Sequence, residues 1–164
     1  MTKIEDAGNL TWSVHEIMEL AKKHESLAQK ETTIFNIFFL KGRFKESSST
    51  LGIHINGTQV IVVFKDIIKA TGLATSEVVA KYVEQATLVH EMGHALGLVN
   101  NGISMIKAHQ DTTHGSHCSN PECVMHHSNE GVTSMTTYAV NAVKNLSLIM
   151  FDQQCLDDAR NFQK

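Results

Sequence analysis

Apolar positions change their period several times along this chain, and each change marks an element. Val14, Ile17, Met18, Ala21 and Leu27 recur at helical spacing, which predicts an amphipathic helix reaching about Lys30. Ser13 with Glu16 three residues later forms a capping box at its start. Residues 34–40 are rich in β-branched and aromatic side chains and read as a buried strand, followed by a polar, serine-rich loop at 41–50. Residues 51–55 and 59–64 then flank Asn56-Gly57, a hairpin signal. Leu51, Ile53 and Ile55 alternate, whereas 60–64 is apolar throughout and is expected at the centre of a sheet. Residues 66–71 form a short helix or turn before Gly72. A long helix is expected over 75–96, with Val78, Val79, Tyr82, Val83, Ala86, Val89 and Leu96 at helical spacing, Ser76 as its N-cap and Gly97 as its stop. Beyond Gly97 the patterning fades for some forty residues. Helical order returns at 136–148 and again at 152–161, where Asp152 is placed to cap.

A structureless stretch that long needs a reason, and metal ligation is the obvious one. Histidine usage agrees, since seven of the ten histidines lie between His90 and His127. The totals otherwise describe one ordinary domain: 164 residues, 42% hydrophobic, 19% charged, formal charge −3. With no basic stripe to neutralise phosphates, nucleic-acid binding is not expected. No apolar region follows the opening residues, so no secretory leader is read here, and the apolar runs at 34–40 and 60–64 are too short to insert into a membrane. Three cysteines are too few for a disulfide scaffold and leave one thiol over unless a metal uses them all.

The chemistry concentrates in His90-Glu91-Met92-Gly93-His94. Histidines four residues apart lie one turn apart on one helix face, where two imidazoles can grip one Zn²⁺. Glu91 beside them can reach a metal-bound water as general base. Gly97 lets the chain turn sharply, so that a third ligand can come back under the metal. Candidates for that ligand are Asn100, His109, His114 and His117. Asn100 offers only a weak neutral amide, and His109 and His114 could instead order the loop through Asp111. His126 and His127 are read as exposed neighbours, as are His15 and His24, and His54 as a solvent-facing strand residue.

The run from His90 to Gly97, then His117-Cys118, four residues, Cys123-Val124-Met125, resembles the archaemetzincins of the metzincin clan, with residues 100–116 inserted. The segments 97–102, 109–118, 123–125 and 155–158 also resemble bacterial membrane-associated or lipoprotein zinc metalloproteases. The resemblance implies an α/β fold of metzincin type: a twisted mixed sheet on two helices in an upper subdomain (about 1–98), and a loop-rich lower subdomain (about 99–164) with a C-terminal helix. It implies His117 as third ligand and Met125 as the Met-turn beneath the zinc. It also implies a second, structural zinc. Archaemetzincins use four cysteines there, whereas this chain offers Cys118, Cys123, Cys155 and Asp152. A Cys118–Cys123 disulfide with Cys155 free and Asp152 only a cap is the competing reading. The function implied is zinc-dependent hydrolysis of a peptide or protein substrate, laid along a sheet edge within 51–64. The alternatives are a zinc-binding module without turnover and a metal store. Retention of Glu91 favours the enzyme. The resemblance also implies an extracytoplasmic or membrane-associated full-length protein, with a cytoplasmic one as the alternative.

Overall fold

The computed structural model describes residues 8, 10–24 and 30–162. Its centre is strand β5 (Val60–Phe64), buried at every position because both of its faces are covered. Strand β2 (Asn36–Leu40) pairs with it in parallel and β4 (Gly52–His54) antiparallel, so the order is β2-β5-β4. On one face, Phe38 beside Val62 and Leu40 beside Phe64 meet Trp12, Ile17 and Ala21 from β1 (Thr11–Trp12) and α1 (Val14–Lys23). On the other, Val63 and Leu51 meet Val79, Val83 and Ala86 of helix α3 (Glu77–Leu96), which follows α2 (Lys65–Ala74). The same apolar cluster continues into Met125, into Met135 and Ala139 of α4 (Val132–Asn145), and into Cys155 of α5 (Gln153–Asn161). The fold is therefore mixed α/β, with five helices and a small mixed sheet among the described residues.

The local signals place the caps well. Ser13 accepts from the Glu16 backbone while Glu16 reaches back to Ser13, and Ser76 accepts from Val79. Asp152 accepts from the Cys155 backbone at 2.9 Å. Several boundaries and exposures differ from expectation. Helix α1 ends at Lys23 with His24 as its C-cap, not near Lys30, and Leu27 lies outside the described residues. Strand β2 is buried on one face only: Ile37 and Phe39 are partly exposed, because α3 covers β4 and β5 but leaves this edge. The 41–50 loop contains β3 (Arg43–Phe44), which pairs in parallel with β1 while Trp12 Nε1 donates to the Lys41 carbonyl. The hairpin turns through residues 56–59, with Gly57 at φ +75°, a longer loop than two residues. Val78 and Leu96 are exposed on α3. Helix α4 starts four residues earlier than expected and stops at Asn145, where Leu146 takes a left-handed conformation.

Candidate metal centre

Helix α3 brings His90, Glu91 and His94 to the junction between the sheet and the irregular segment. It closes on Gly97 at φ +85°, with Gly97 N–H donating to the His94 carbonyl and Leu98 N–H to that of Gly93. This is the Schellman pattern, and it satisfies two helix-end carbonyls that would otherwise be orphaned. Val99 and Asn100 follow with φ of 54° and 61°, which carries the chain away from the helix end. Asn100 is consequently exposed, its side-chain amide directed at Gln110, and it takes no part in the cluster.

His117 does. Its ring centroid lies 5.3 Å from that of His90 and 4.9 Å from that of His94, while His90 and His94 are 4.8 Å apart. Backbone carbonyls set the ring orientations. His90 Nδ1 sits 2.8 Å from the Val124 carbonyl and His117 Nδ1 2.6 Å from that of His114. Each Nδ1–H donates there, which leaves Nε2 as the lone-pair donor facing the other rings. The Nε2 atoms of His90 and His94 are 3.2 Å apart, close to the roughly 3.3 Å edge of a tetrahedron with zinc–nitrogen bonds of usual length. His117 Nε2 is shut off from solvent. Burial holds His90 down to about 4 and His94 to about 3, so both are neutral at neutral pH, as ligation requires. Burial also opposes the charged form of His117, but Glu130 and the His114 carbonyl outweigh it and raise that group.

Glu130 is the member that the sequence did not disclose. It ends a short 3-10 turn (His127–Glu130), and its Oε1 lies 3.2 Å from His117 Nε2, completing a group of four potential ligands with His90, His94 and His117. Glu91 lies beside them against β4, where the backbone of His54 faces its carboxylate. Burial, then Glu130, pushes Glu91 up to about 8; a divalent cation among the three rings acts in the opposite direction. The site opens on a cleft of about 710 Å³ lined by Gly52, Ile53 and His54 of β4 together with Glu91, His94 and His117. His54 is thus not solvent-facing: it lines the cleft, and its Nε2 meets the Thr58 carbonyl at 2.8 Å.

Two glycines let these parts approach. A Cβ at Gly52 would come within 2.6 Å of Thr87 Cγ2 and 3.2 Å of Glu91 Cγ, so β4 can lie on α3 only without a side chain there. A Cβ at Gly93 would run into Met125 Sδ. Met125 is fully buried under α3, between the turns that carry His90 and His94. No sequence spacing marks Glu130 or Gly52, whereas Gly93 lies inside the motif, where its small size is readable.

The cysteines form a second group. All three are buried and free, so the Cys118–Cys123 disulfide is not formed. Cys123 and Cys155 have their sulfurs 3.7 Å apart, and His109 Nδ1 lies 3.4 Å from Cys118 Sγ and 3.9 Å from Cys155 Sγ. Around a tetrahedral zinc, sulfur–sulfur and nitrogen–sulfur edges are about 3.8 and 3.6 Å. His109 is buried and its Nε2 is 2.7 Å from Asp158 Oδ2, not bonded to Asp111, and this ion pair aims Nδ1 at the thiols. The atoms that converge within 4.8 Å of one another are those of His109, Cys118, Cys155 and Asp152, with Asp152 Oδ2 3.4 Å from Cys118 Sγ; Oδ1 of Asp152 also caps α5 and Oδ2 accepts from Asn120 at 2.9 Å. Hydrogen bonds from Cys118 and Cys155 hold the Cys123 thiol below its usual range.

His114 joins neither group. It stacks on His127 beside Asp111, and His127 is half-buried there, not exposed. Among the described residues there are thus three clusters that could bind a metal ion. Compared with protein-family models, with curated proteins and with solved structures, the chain matches none of them.

Proposed function

We propose that this chain is a zinc-dependent peptidase of metzincin type, with His90, His94 and His117 holding the ion and Glu91 as general base. One observation carries the reading: three Nε2 donors converge with a carboxyl group beside them at the floor of an open cleft. Zinc in that position supplies Lewis acidity and a water acidic enough to attack at neutral pH. Glu91 takes the proton of the attacking water and returns it to the leaving amine. The outer edge of β4 is unpaired among the described residues and borders the cleft, which suits an extended peptide or protein substrate added as a further strand. Met125 acts as the floor that keeps the two histidine turns in place. A second, structural zinc held by Cys118, Cys123, Cys155 and His109 ties the irregular segment to α5.

A zinc-binding module without turnover is the second reading, and Glu130 favours it. A fourth protein ligand would close the coordination sphere, as in structural zinc sites. Glu91→Gln and Glu130→Gln, each assayed for zinc content and for hydrolysis of a peptide library, separate the two. The peptidase reading expects Glu91→Gln to retain zinc and lose at least ~100-fold of the rate, as for loss of a general base. Glu130→Gln should retain both zinc and hydrolysis. A wild-type protein that holds zinc and cleaves nothing, but gains hydrolysis on Glu130→Gln, would establish the closed site instead.

A further inference from the structure

The cluster of Asp111, His114 and His127 is used by neither metal centre described above. Asp111 Oδ2 lies 2.7 Å from His114 Nδ1 and 3.2 Å from His127 Nδ1, so two imidazole nitrogens converge on one carboxylate oxygen. The two rings are parallel, with centroids 3.7 Å apart and planes 5° from each other. Asp111 can satisfy only one of them well. His114 takes the shorter contact, and His127 Nδ1, shut off from solvent, has the longer one to the same oxygen. Thr113 holds the other oxygen of Asp111 through its backbone N–H and its hydroxyl, and with His114 it keeps the carboxyl well below the usual range. A fixed carboxylate, a solvent-shielded imidazole nitrogen with only a long, shared contact to it and a second imidazole within 4.8 Å form a donor set for a divalent transition metal. The side chains are 19%, 49% and 31% exposed for Asp111, His114 and His127, which leaves room for water in the remaining positions.

The position of this cluster gives it a role. Both of its sequence segments also touch His117. On one side, His117 Nδ1 donates to the His114 carbonyl and Asp111 N–H to the His117 carbonyl, at 2.6 and 2.7 Å. On the other, His127 opens the 3-10 turn whose last residue, Glu130, meets His117 Nε2. We propose that Asp111, His114 and His127 bind an exchangeable divalent transition-metal ion that joins the two struts orienting His117. The ion thereby acts at a distance on the catalytic centre, since it reduces the freedom of the third ligand before zinc arrives. That coupling rests on the reading of His117 as a zinc ligand. The binding of the ion does not.

Nickel is the suitable probe because it favours imidazole nitrogen and accepts waters. Zinc-loaded protein, dialysed free of loosely held metal, is titrated with Ni²⁺ by equilibrium dialysis while its zinc content is followed. One Ni²⁺ per chain is expected beyond the retained zinc. His127→Ala and the isosteric Asp111→Asn should each weaken it at least tenfold without changing the far-ultraviolet circular dichroism. In wild type, Ni²⁺ should slow release of zinc to a chelator at least threefold, and in His127→Ala it should not. No Ni²⁺ uptake by wild type, or equal affinity in wild type and both variants, overturns the site. Uptake without any change in zinc release overturns the coupling alone. Uptake by a chain that holds no zinc at His90 and His94 keeps the site and removes the catalytic reading.

Discussion

Gly93 offers the sharpest test of how the candidate centre is built. An alanine there would place Cβ on Met125 Sδ, 3.1 Å from Met125 Cε and 2.8 Å from Phe151 Cε1. Two terms compete. Replacing a helix-interior glycine gains about 1 kcal/mol of helix propensity, while overpacking a filled interior costs about 1–3 kcal/mol. Met125 is flexible but fully buried, so its thioether has nowhere to retreat except into neighbouring core atoms. The overpacking cost should win, giving a net loss of about 1 kcal/mol. The background decides whether the clash is the cause. Met125→Ala alone should cost about 2–5 kcal/mol through its cavity. Gly93→Ala added to it meets only the Phe151 ring and should be neutral or stabilising, a coupling of about 1–2 kcal/mol. Urea denaturation of the four proteins at fixed free zinc measures the cycle. If Gly93→Ala destabilises equally in both backgrounds, Met125 is not what excludes a side chain at that position.

Two further outcomes follow from the donor geometry. His117→Ala should lose catalytic zinc on dialysis while Asn100→Ala keeps it, because Asn100 faces Gln110 and solvent; the reverse pattern in metal analysis would sink the assignment. Zinc bound at the cysteines predicts thiols that react only after chelation, and His109→Ala should release that zinc. Asp152→Ala should instead retain it and lose about 1 kcal/mol as a missing helix cap, so zinc loss confined to the Asp152 variant would exchange their roles.

Much of this architecture was legible because the signals are local. The capping box at Ser13, the cap at Ser76, the stop at Gly97 and the wholly apolar β5 each depend on residues within a few positions of one another. The convergence of His117 on the helix motif was readable only through its resemblance to a known spacing, since residues 98–116 follow no period. Glu130 and His127 are not readable for a plain physical reason: one short 3-10 turn brings Glu130 to His117 and His127 beside Asp111, and no periodicity records such a turn. His109 was mistaken for a partner of Asp111 because sequence proximity suggested it. Its actual carboxylate, Asp158, lies 49 positions away on α5. Strand β2 went wrong in another way, since an apolar run does not disclose which of its faces a helix will cover.

The cysteine group has a consequence for the order of folding. Its donors lie up to 46 positions apart and come from irregular backbone and the first turn of α5, whereas the sheet and α1 enclose an apolar cluster of their own. Closing so long a loop costs entropy, which burial of the three sulfurs in the apolar cluster shared with α3 and α4 offsets in part and an ion held by them would offset further. Resilience should then differ along the chain. Amides of β5 and the first turns of α3 should exchange only on global opening, while those around Cys118, Cys123 and α5, if they hold an ion, should exchange faster once it is removed. Thiol oxidants and chelators should then act on this protein first through the segment that carries the cysteines, while the His90-Glu91-His94 helix persists as a platform on which that segment can reassemble.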